Sequence, residues 1–436
     1  MGFADSSQQH SAGDASGRVA GSLCLGIDLG SSGVRLALLD GAAHCCHGDS
    51  TSYPAGFEDG AGWQVAVGAL IKAIPADLRA GVAALAIAGT SGTLLACHPD
   101  DGRPLAPAEP YHRAYGERAE QCLVLAGEGS PAASASGALA RALELQGRHQ
   151  HQPLLLRHQA EWLAGWLLDD WRWGDAHNSL KLGWDPLRQD WAGSIGRSAL
   201  APCLPRVRPP GTRLGPLHPE RARQLGLPRD CKVIAGTTDG NAAVLAVGPQ
   251  PGDGVTVLGS TMVLKQVCPS PIQGPGVYSH PLGAQWICGG ASNAGGAVLR
   301  RFFDERSLVW LSRQIDLTRP SGLDYLPLPR PGERFPRDDP ALQPRLEPRP
   351  VSDALFLQGL LEGLAAVEAE GWQRLRDLGA PGIQRVISVG GGARNPQWRQ
   401  LRQLRLGITV LNRPGRPPAE GAARLAWQGL RSQTAA

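Results

Sequence analysis

Residues 24–33 read Cys-Leu-Gly-Ile-Asp-Leu-Gly-Ser-Ser-Gly, an apolar run that carries Asp28 into a turn of small residues. The apolar part predicts a β-strand, and the run Val34–Leu39 predicts a second strand that completes a hairpin. The backbone N–H groups of such a glycine-rich turn can hold a phosphate group. The stretch therefore predicts an anion-binding turn at the edge of a sheet.

A second acid follows a strand in the same manner. The apolar pair Val233-Ile234 leads into Ala235-Gly-Thr-Thr-Asp239-Gly240. A base at one edge and a phosphate turn at the other are typical of phosphoryl transfer to a hydroxyl group. Because the transition state of that reaction is loose, a carboxylate can accept the hydroxyl proton late, and Asp239 is the candidate catalytic base. A single Asp-Gly usually caps its own turn, so the hypothesis depends on the pair of acids.

Length and composition limit the classes of function. A chain of 436 residues is too long for one compact core and fits two domains. Its net charge of +4 is too small to indicate nucleic-acid binding, and no apolar run approaches the roughly 20 residues of a membrane span. Nine cysteines without a Cys-x-x-Cys pair favour reduced thiols and a cytoplasmic location. Residues 1–21 predict a disordered tail.

The chain repeats one plan in its two halves. Each half begins with a strand, a glycine turn and a strand, and each later has a strand that feeds a glycine loop. This pattern predicts an α/β fold of two related domains, 22–246 and 247–436, that face one cleft. Between these landmarks the sequence predicts helix over 115–169 and 353–378, a proline-rich connector over 203–215, and an extended excursion outside the core over 318–350.

Three glycine turns and Asp28 form the predicted nucleotide site. Asp28 would hold Mg²⁺ through a water molecule, since this ion prefers oxygen ligands and keeps much of its hydration. Gly30, Ser31, Ser32 and Gly33 would face Gly259, Ser260 and Thr261 across the phosphates, and Gly390, Gly391 and Gly392 would let the nucleotide approach the backbone. The chain lacks the G-x-x-x-x-G-K-[ST] and G-x-G-x-x-G spacings, which argues against a P-loop enzyme and a Rossmann fold.

Six motifs in order resemble the FGGY family of carbohydrate kinases. They are Gly26–Gly33, Ile87–Thr93, Gly236–Gly240, Leu258–Thr261, Gly359–Glu368 and Val389–Trp398. The resemblance implies two actin-like (ribonuclease H-like) ATPase domains around a central cleft. Sugar would bind the 22–246 domain and nucleotide the 247–436 domain, and the final helix would pack back near the first domain.

The resemblance also implies the ligands and further site residues. ATP and Mg²⁺ are the expected cofactors, and a small sugar is the expected substrate. Asp28, Ser91 and Asp239 would contact the sugar, while Asn395 and Trp398 would flank the adenine base. Three segments, Gly276–His280, Gly289–Gly296 and Tyr325–Pro336, resemble a compact xylulokinase-like branch that is similar to D-ribulose kinases. That branch implies a ketopentose such as D-ribulose or D-xylulose.

The chain departs from the family at one motif and leaves two other classes open. Many members carry an Asp just before a sugar-contacting Arg, whereas this chain reads Pro110-Tyr-His-Arg113. A catalytically weak sugar and nucleotide sensor is the main alternative, and retention of Asp239 argues against it. A scaffold ATPase would need a partner-binding domain, for which only the N-terminal segment is left over. Both a monomer and a homodimer are compatible with the sequence.

Overall fold

Two six-stranded sheets form the framework of the chain. The structure is a computed structural model that describes residues 22–432. The predicted disordered tail at 1–21 lies outside the described residues. The strands are β1 (Leu23–Gly30), β2 (Gly33–Leu39), β3 (Cys45–Thr51), β4 (Val82–Gly89), β5 (Leu94–Cys97), β6 (Leu155–His158), β7 (Trp173–Asp175), β8 (Trp184–Asp185), β9 (Asp190–Trp191), β10 (Arg206–Arg208), β11 (Arg213–Pro216), β12 (Lys232–Thr238), β13 (Asp253–Leu258), β14 (Met262–Cys268), β15 (Val277–Leu282), β16 (Gln285–Ser292), β17 (Arg385–Val389) and β18 (Thr409–Asn412).

Helices cover the faces of both sheets. They are α1 (Gly60–Ala73), α2 (Ala76–Ala80), α3 (Ala119–Ala126), α4 (Ala138–Arg148), α5 (Gln159–Leu168), α6 (Ala176–Ser179), α7 (Pro219–Leu225), α8 (Asp239–Ala246), α9 (Gly296–Leu299), α10 (Glu305–Ser312), α11 (Asp353–Asp377), α12 (Pro396–Leu406) and α13 (Pro418–Arg431). Within residues 22–432 no helix is long and apolar enough to cross a membrane. All nine cysteines are free thiols.

The two sheets share one topology. The first has the strand order β11-β12-β4-β1-β2-β3, and the second has β15-β16-β14-β13-β17-β18. In both, a central strand (β1 or β13) pairs antiparallel with the next strand along the chain and parallel with a later one. Each sheet then gains one extra antiparallel edge strand, β11 or β15. The chain is thus an α/β protein built twice from the same plan, as the repeated strand–turn–strand pattern predicts.

Helices α8 and α13 pack between the two sheets through very close backbone contacts. Gly26 on β1 lies under α13, where an added Cβ atom would come within 1.9 Å of the Ala419 carbonyl oxygen. A Cβ atom on Gly421 of α13 would come within 1.8 Å of the Ala242 carbonyl oxygen of α8. Only glycine allows these approaches, because the obstructing atoms belong to the backbone and not to a flexible side chain.

Two sequence predictions need correction in the first half. The segment 115–169 is not continuous helix, because β6 (Leu155–His158) pairs with β5 between α4 and α5. The proline-rich segment 203–215 is more than a connector, because it carries β10 and the start of β11, the edge strand of the first sheet. Proline is compatible with an edge strand, where an outward-facing N–H group is not needed for pairing.

The prediction for 318–350 is half wrong. The segment contains no helix or longer strand, as expected, but its apolar side chains belong to the second core. Phe335 is completely buried against Gly290 of β16 and Gly371 of α11, and Tyr325 packs against Gly359 of α11. The glycines of sheet and helix make room for rings that arrive from an irregular chain, a relation that local sequence pattern does not reveal.

We expect Gly421→Ala to destabilise the protein strongly. The new methyl group would collide with the Ala242 carbonyl oxygen and force α13 away from α8, and overpacking of this kind costs about 1–3 kcal/mol. Thermal melting of the purified variant measures the effect. Gly415→Ala is the matched control, since no atom lies within 4 Å of its added Cβ position. Equal melting temperatures for the two variants would contradict the proposed role of this contact.

Candidate active site

Asp28 is a buried carboxylate in the middle of the first sheet. Its side chain is 1% exposed, near the carboxyl end of β1. Arg35, its register partner on β2, places Nη1 3.3 Å from Oδ2 of Asp28. The other oxygen, Oδ1, is buried and has no hydrogen-bond partner within residues 22–432. Burial and the negative charge of Asp239 raise the pKa of Asp28 to about 7, and Arg35 opposes them.

Asp239 begins α8 directly after β12. Thr238 caps the helix by accepting a hydrogen bond of 3.4 Å from the Asn241 N–H group, and the Gly240 N–H group donates to Oδ1 of Asp239 at 2.7 Å. Burial raises the pKa of Asp239, while the backbone N–H of Gly240 and the charge of Lys181 lower it. The sequence predicts a turn here, whereas the acid lies in the first helical turn, where the N-terminal N–H groups favour a negative charge.

Strand pairing brings the two acids to one edge of the sheet. The strand β4 lies between β1 and β12 and runs parallel to both. The carboxyl ends of all three strands therefore meet, with Asp28 on one side of β4 and Asp239 beyond the end of β12. The charge of Asp239 raises the pKa of Asp28, and Ser91, which follows the end of β4, hydrogen-bonds Asp239 through its backbone. The three predicted sugar contacts are thus neighbours.

A buried polar network holds the Ser91 loop. The Thr90 hydroxyl lies 2.6 Å from the Thr93 hydroxyl and donates to Oε1 of Gln159 at 3.0 Å. Gln159 in turn donates to the Tyr53 hydroxyl at 3.4 Å, and Tyr53 donates to the Gly30 carbonyl oxygen at 2.8 Å. This chain of hydrogen bonds links the Ser91 loop to the first glycine turn. Sequence reasoning missed Gln159 and Tyr53, because both lie far from the motifs along the chain.

Two cationic side chains near the acids also escaped the sequence analysis. Lys181 lies near enough to Asp239 for their charges to interact; burial and the charge of Arg334 lower the pKa of Lys181. Arg141 is 1% exposed and donates to the carbonyl oxygens of Gly92 at 2.8 Å and Arg113 at 2.5 Å. Burial lowers the pKa of Arg141 to about 10. No motif distinguishes either residue in the sequence.

The first two glycine turns each meet an arginine. In the first turn, an added Cβ atom on Gly30 would lie 2.9 Å from Nη1 of Arg35. In the second, Arg300 donates from Nη2 to the Ser260 hydroxyl at 2.6 Å. The α9 N-terminus closes on the second turn through Gly296 N–H and Gly259 carbonyl oxygen, 2.9 Å apart. The exposed residues of the two turns are Ser31, Ser32, Gly259 and Ser260, while Gly33 is buried and Gly30 and Thr261 are partly buried.

The third glycine turn follows β17. Gly390 has a φ of 85°, which favours glycine, and Gly391 is exposed. The Asn395 side chain accepts a hydrogen bond of 3.0 Å from the Trp398 N–H group and donates to the Ser312 hydroxyl at 2.8 Å, so it caps α12. Trp398 is 2% exposed, and its ring lies directly beneath Gly392. We therefore revise the predicted base contact of Trp398 to a supporting role under the turn.

Arg113, in the motif where this chain differs from the family pattern, forms ion pairs with two glutamates. Nη1 of Arg113 lies 2.9 Å from Oε2 of Glu109, and Nη2 lies 3.1 Å from Oε1 of Glu58. Glu109 is 2% exposed and also accepts hydrogen bonds from Tyr115 at 2.7 Å and Arg148 at 2.7 Å. Burial raises the pKa of Glu109, but these hydrogen bonds outweigh burial, so the pKa is lowered. The carboxylates near Arg113 thus come from Glu58 and Glu109, and not from the adjacent position.

One family model and one curated relative match parts of the chain. Residues 254–429 match the C-terminal domain of the FGGY family of carbohydrate kinases. L-fuculokinase of Salmonella typhi is 28% identical over 248 residues, which are 52% of this chain and 50% of that protein. The matched region therefore spans about half the length of this curated relative.

Solved structures resemble nearly the whole chain. A xyloylose kinase from Brucella ovis superposes with a TM-score of 0.82 at 22% identity, covering 94% of this chain and 91% of the other. The ligand-bound xylulose kinase from Lactobacillus acidophilus superposes with a TM-score of 0.78 at 16% identity, covering 94% and 89%. At these identities the likeness establishes the fold, which is the two-domain actin-like ATPase fold predicted from the motifs. Residues 254–429 thus match the C-terminal domain of the FGGY carbohydrate kinases, and the described chain has the fold of these solved sugar kinases.

Proposed function

We propose that the chain transfers the γ-phosphoryl group of ATP to a hydroxyl group of a small sugar, and that the sugar is a ketopentose such as D-ribulose or D-xylulose. The observation that carries the proposal is the pair of carboxylates, the buried Asp28 and the partly buried Asp239, on either side of β4. Two like charges held close together at one sheet edge are costly unless they act on a ligand. The kinases with the same fold that are named for xylulose support the choice of sugar.

Asp239 is the proposed base. It would accept the hydroxyl proton of the sugar as the phosphoryl group arrives, and nearby Lys181 would keep the carboxylate available in its charged form. Ser91 and Asp28 would orient the sugar from the neighbouring strand ends. A sugar and nucleotide sensor would need both binding sites but no base, and the presence of Asp239 at the start of α8, close to Asp28, favours the enzyme.

Asp28 is suited to bind hydrated Mg²⁺ through a water molecule. Its Oδ1 atom is buried without a partner within the described part of the chain, so it can accept a hydrogen bond from a water molecule of a hydrated ion. Residues 22–432 contain no cluster of three or more His, Cys, Asp or Glu side chains that could hold a metal ion. When bound with ATP, Mg²⁺ would neutralise phosphate charge. Arg35 and Arg300, one at each glycine turn, would add positive charge to the same phosphates.

A substrate screen tests the proposal. Purified protein with Mg-ATP is incubated with D-ribulose, D-xylulose, L-ribulose, glycerol and ribitol, and ADP release is measured. We expect sugar-dependent ADP release that is fastest with a ketopentose. Binding of sugar and nucleotide by calorimetry, without ADP release from any acceptor, would instead identify a sensor.

We expect Asp239→Asn to reduce kcat by about 10² to 10⁴-fold, the usual contribution of a general base, while nucleotide affinity stays unchanged. In the unmodified protein, activity should fall as the pH decreases through the pKa of Asp239, because the protonated acid cannot accept a proton. Since burial raises that pKa, the acid limb of the pH profile should lie above the value of about 3.9 for an exposed Asp.

The surface variant Asp230→Asn is the control for this measurement, because it removes a carboxylate from an exposed position. It should retain full activity. A general base is expected to contribute at least about 10²-fold to kcat. If Asp239→Asn loses less than about tenfold, the assignment of Asp239 as the base is wrong.

Asp28→Asn should change the response to magnesium. Loss of the carboxylate weakens attraction for the hydrated ion, so the Mg²⁺ concentration for half-maximal activity should rise, whereas Asp239→Asn should leave it unchanged. A magnesium titration of the three proteins at saturating sugar measures this difference. A slower variant with an unaltered magnesium titration would assign Asp28 to sugar binding alone.

Ligand binding should draw the two sheets together. The γ-phosphate reaches the sugar hydroxyl only if the walls of the cleft approach, and closure excludes water as a competing acceptor. The connections at 247–254 and 413–420 are the proposed hinges, because they cross between the two halves. Small-angle scattering with sugar and a non-hydrolysable ATP analogue should show a smaller radius of gyration. An unchanged radius, with binding confirmed by calorimetry, would indicate a rigid preformed cleft.

A further inference from the structure

A buried histidine, His177, contacts both flanks of Asp239. The side chain lies on α6 and is 1% exposed. Its Nδ1 atom is 2.7 Å from the Thr237 hydroxyl, two residues before Asp239, and 3.1 Å from Nδ2 of Asn241, two residues after it. Its Nε2 atom is 2.6 Å from the Pro281 carbonyl oxygen. One imidazole ring thus joins the Asp239 turn to β15, the edge strand of the second sheet.

The partners determine the protonation of the ring. A carbonyl oxygen can only accept, so Nε2 carries the hydrogen and donates it to Pro281. The amide nitrogen of Asn241 can only donate, so Nδ1 is unprotonated and accepts. His177 is therefore neutral, with both ring nitrogens used.

The surroundings of His177 disfavour a positive charge. The His280 ring meets it edge-on, with centroids 5.1 Å apart, and the charges of Lys265 and Lys181 act on His280. Burial has the largest effect and, together with the charge of Lys265, lowers the pKa of His177 to about 3. The hydrogen bond to Pro281 acts in the opposite direction. The ring therefore stays neutral near pH 7, and its contact pattern is the one that the hydrogen bonds define.

The helix that carries His177 is itself firmly anchored. Asp175 caps α6 and accepts hydrogen bonds from the His177 N–H group at 3.0 Å and from the Asn178 side chain at 2.7 Å. The Asp175 N–H group donates to Oε1 of the buried Glu161 at 3.1 Å. With its backbone held in this way, His177 can orient a neighbour instead of following it.

We propose that His177 is a positioning residue that couples the orientation of Asp239 to the docking of the second sheet. The ring holds the strand end before Asp239 and the helical turn after it, and its other nitrogen binds the second half of the chain. When β15 is in place, the carboxylate is aligned; when β15 withdraws, one of the bonds that orient the ring is lost. The inference rests on the proposed role of Asp239 as base.

The test begins with His177→Phe, which keeps the ring volume and removes all three hydrogen bonds. We expect kcat to fall by about 10- to 100-fold, since small displacements of catalytic groups have effects of that order. Nucleotide affinity, measured by calorimetry, should stay within twofold. Hydration of the loosened carboxylate should also lower the raised pKa of Asp239, so the acid limb of the pH profile should move to lower pH.

A double-mutant comparison separates positioning from general destabilisation. If His177 acts through Asp239, then His177→Phe should cause no further loss of kcat in the Asp239→Asn background. A merely structural role would reduce the rate by the same factor in both backgrounds, and that result would overturn the proposal. If His177→Phe does not fold, Thr237→Val replaces it in the same comparison, because it removes one contact to Nδ1 with little change in volume.

Two side-chain substitutions divide the role of the ring. His177→Asn can keep an acceptor near Nδ1 but cannot reach Pro281, whereas His177→Gln can reach Pro281 but offers no acceptor near Nδ1. The first should retain alignment of Asp239 better than the second once sugar saturates. His280→Phe is the control, since Nδ1 of His280 has no partner within residues 22–432 and the edge-on ring contact is kept; its kcat should stay within threefold.

The outcomes also separate this inference from the proposed function. If the unmodified protein releases no ADP with any sugar, the kinase proposal fails. If it is active and His177→Phe has normal kcat and an unaltered acid limb, the positioning role alone is refuted.

Discussion

The backbone contact of α13 with α8 and β1 is the constraint on which the site depends. Gly421 lets α13 touch the backbone of α8, and Gly26 lets α13 touch β1. Asp28 lies two residues after Gly26 on the same strand, and Asp239 begins the helix that Gly421 contacts. The close contacts of Gly26 and Gly421 thus fix the positions of the two elements that carry Asp28 and Asp239. A side chain at either glycine would move a carboxylate along with the helix or strand that carries it.

The electrostatics of the site follow from that packing. Burial and mutual repulsion raise the pKa of Asp28, so the pair is destabilised in the absence of ligand. Arg35 and Lys181 offset part of that cost from opposite sides, each near one of the two acids. Two such groups at one sheet edge lower the stability of the fold, which is the usual relation where side chains serve a chemical role such as the one we propose.

The two glycine turns that we propose as phosphate contacts obtain their arginines from different parts of the fold. In the first sheet the arginine at the turn comes from the next strand, because Arg35 on β2 pairs with Asp28 on β1. In the second sheet it comes from the end of α9, since Arg300 bonds Ser260 from 40 residues away. Two positive charges on opposite walls suit a polyanionic ligand between them, and their separation depends on how closely the sheets approach.

The sequence by itself determined the class of fold and the acids of the site. Strand–turn–strand patterns, glycine spacing and the position of Asp28 and Asp239 after apolar runs are local signals, because backbone conformation and side-chain alternation depend on near neighbours. The same signals located the glycine turns. Local signals gave a wrong prediction for 318–350, where long-range packing determines burial. The buried rings of this segment lie against glycines in distant elements.

Only the tertiary structure decided which residues surround those acids. His177, Lys181, Arg141 and Gln159 lie in segments without a motif, and each reaches the site because separate elements fold against one sheet edge. Only the tertiary structure likewise shows that Trp398, predicted to flank the adenine base, is buried beneath Gly392. Burial, charge proximity and hydrogen-bond partners are properties of long-range packing, which no short window of residues specifies, and they determine what each side chain can do chemically.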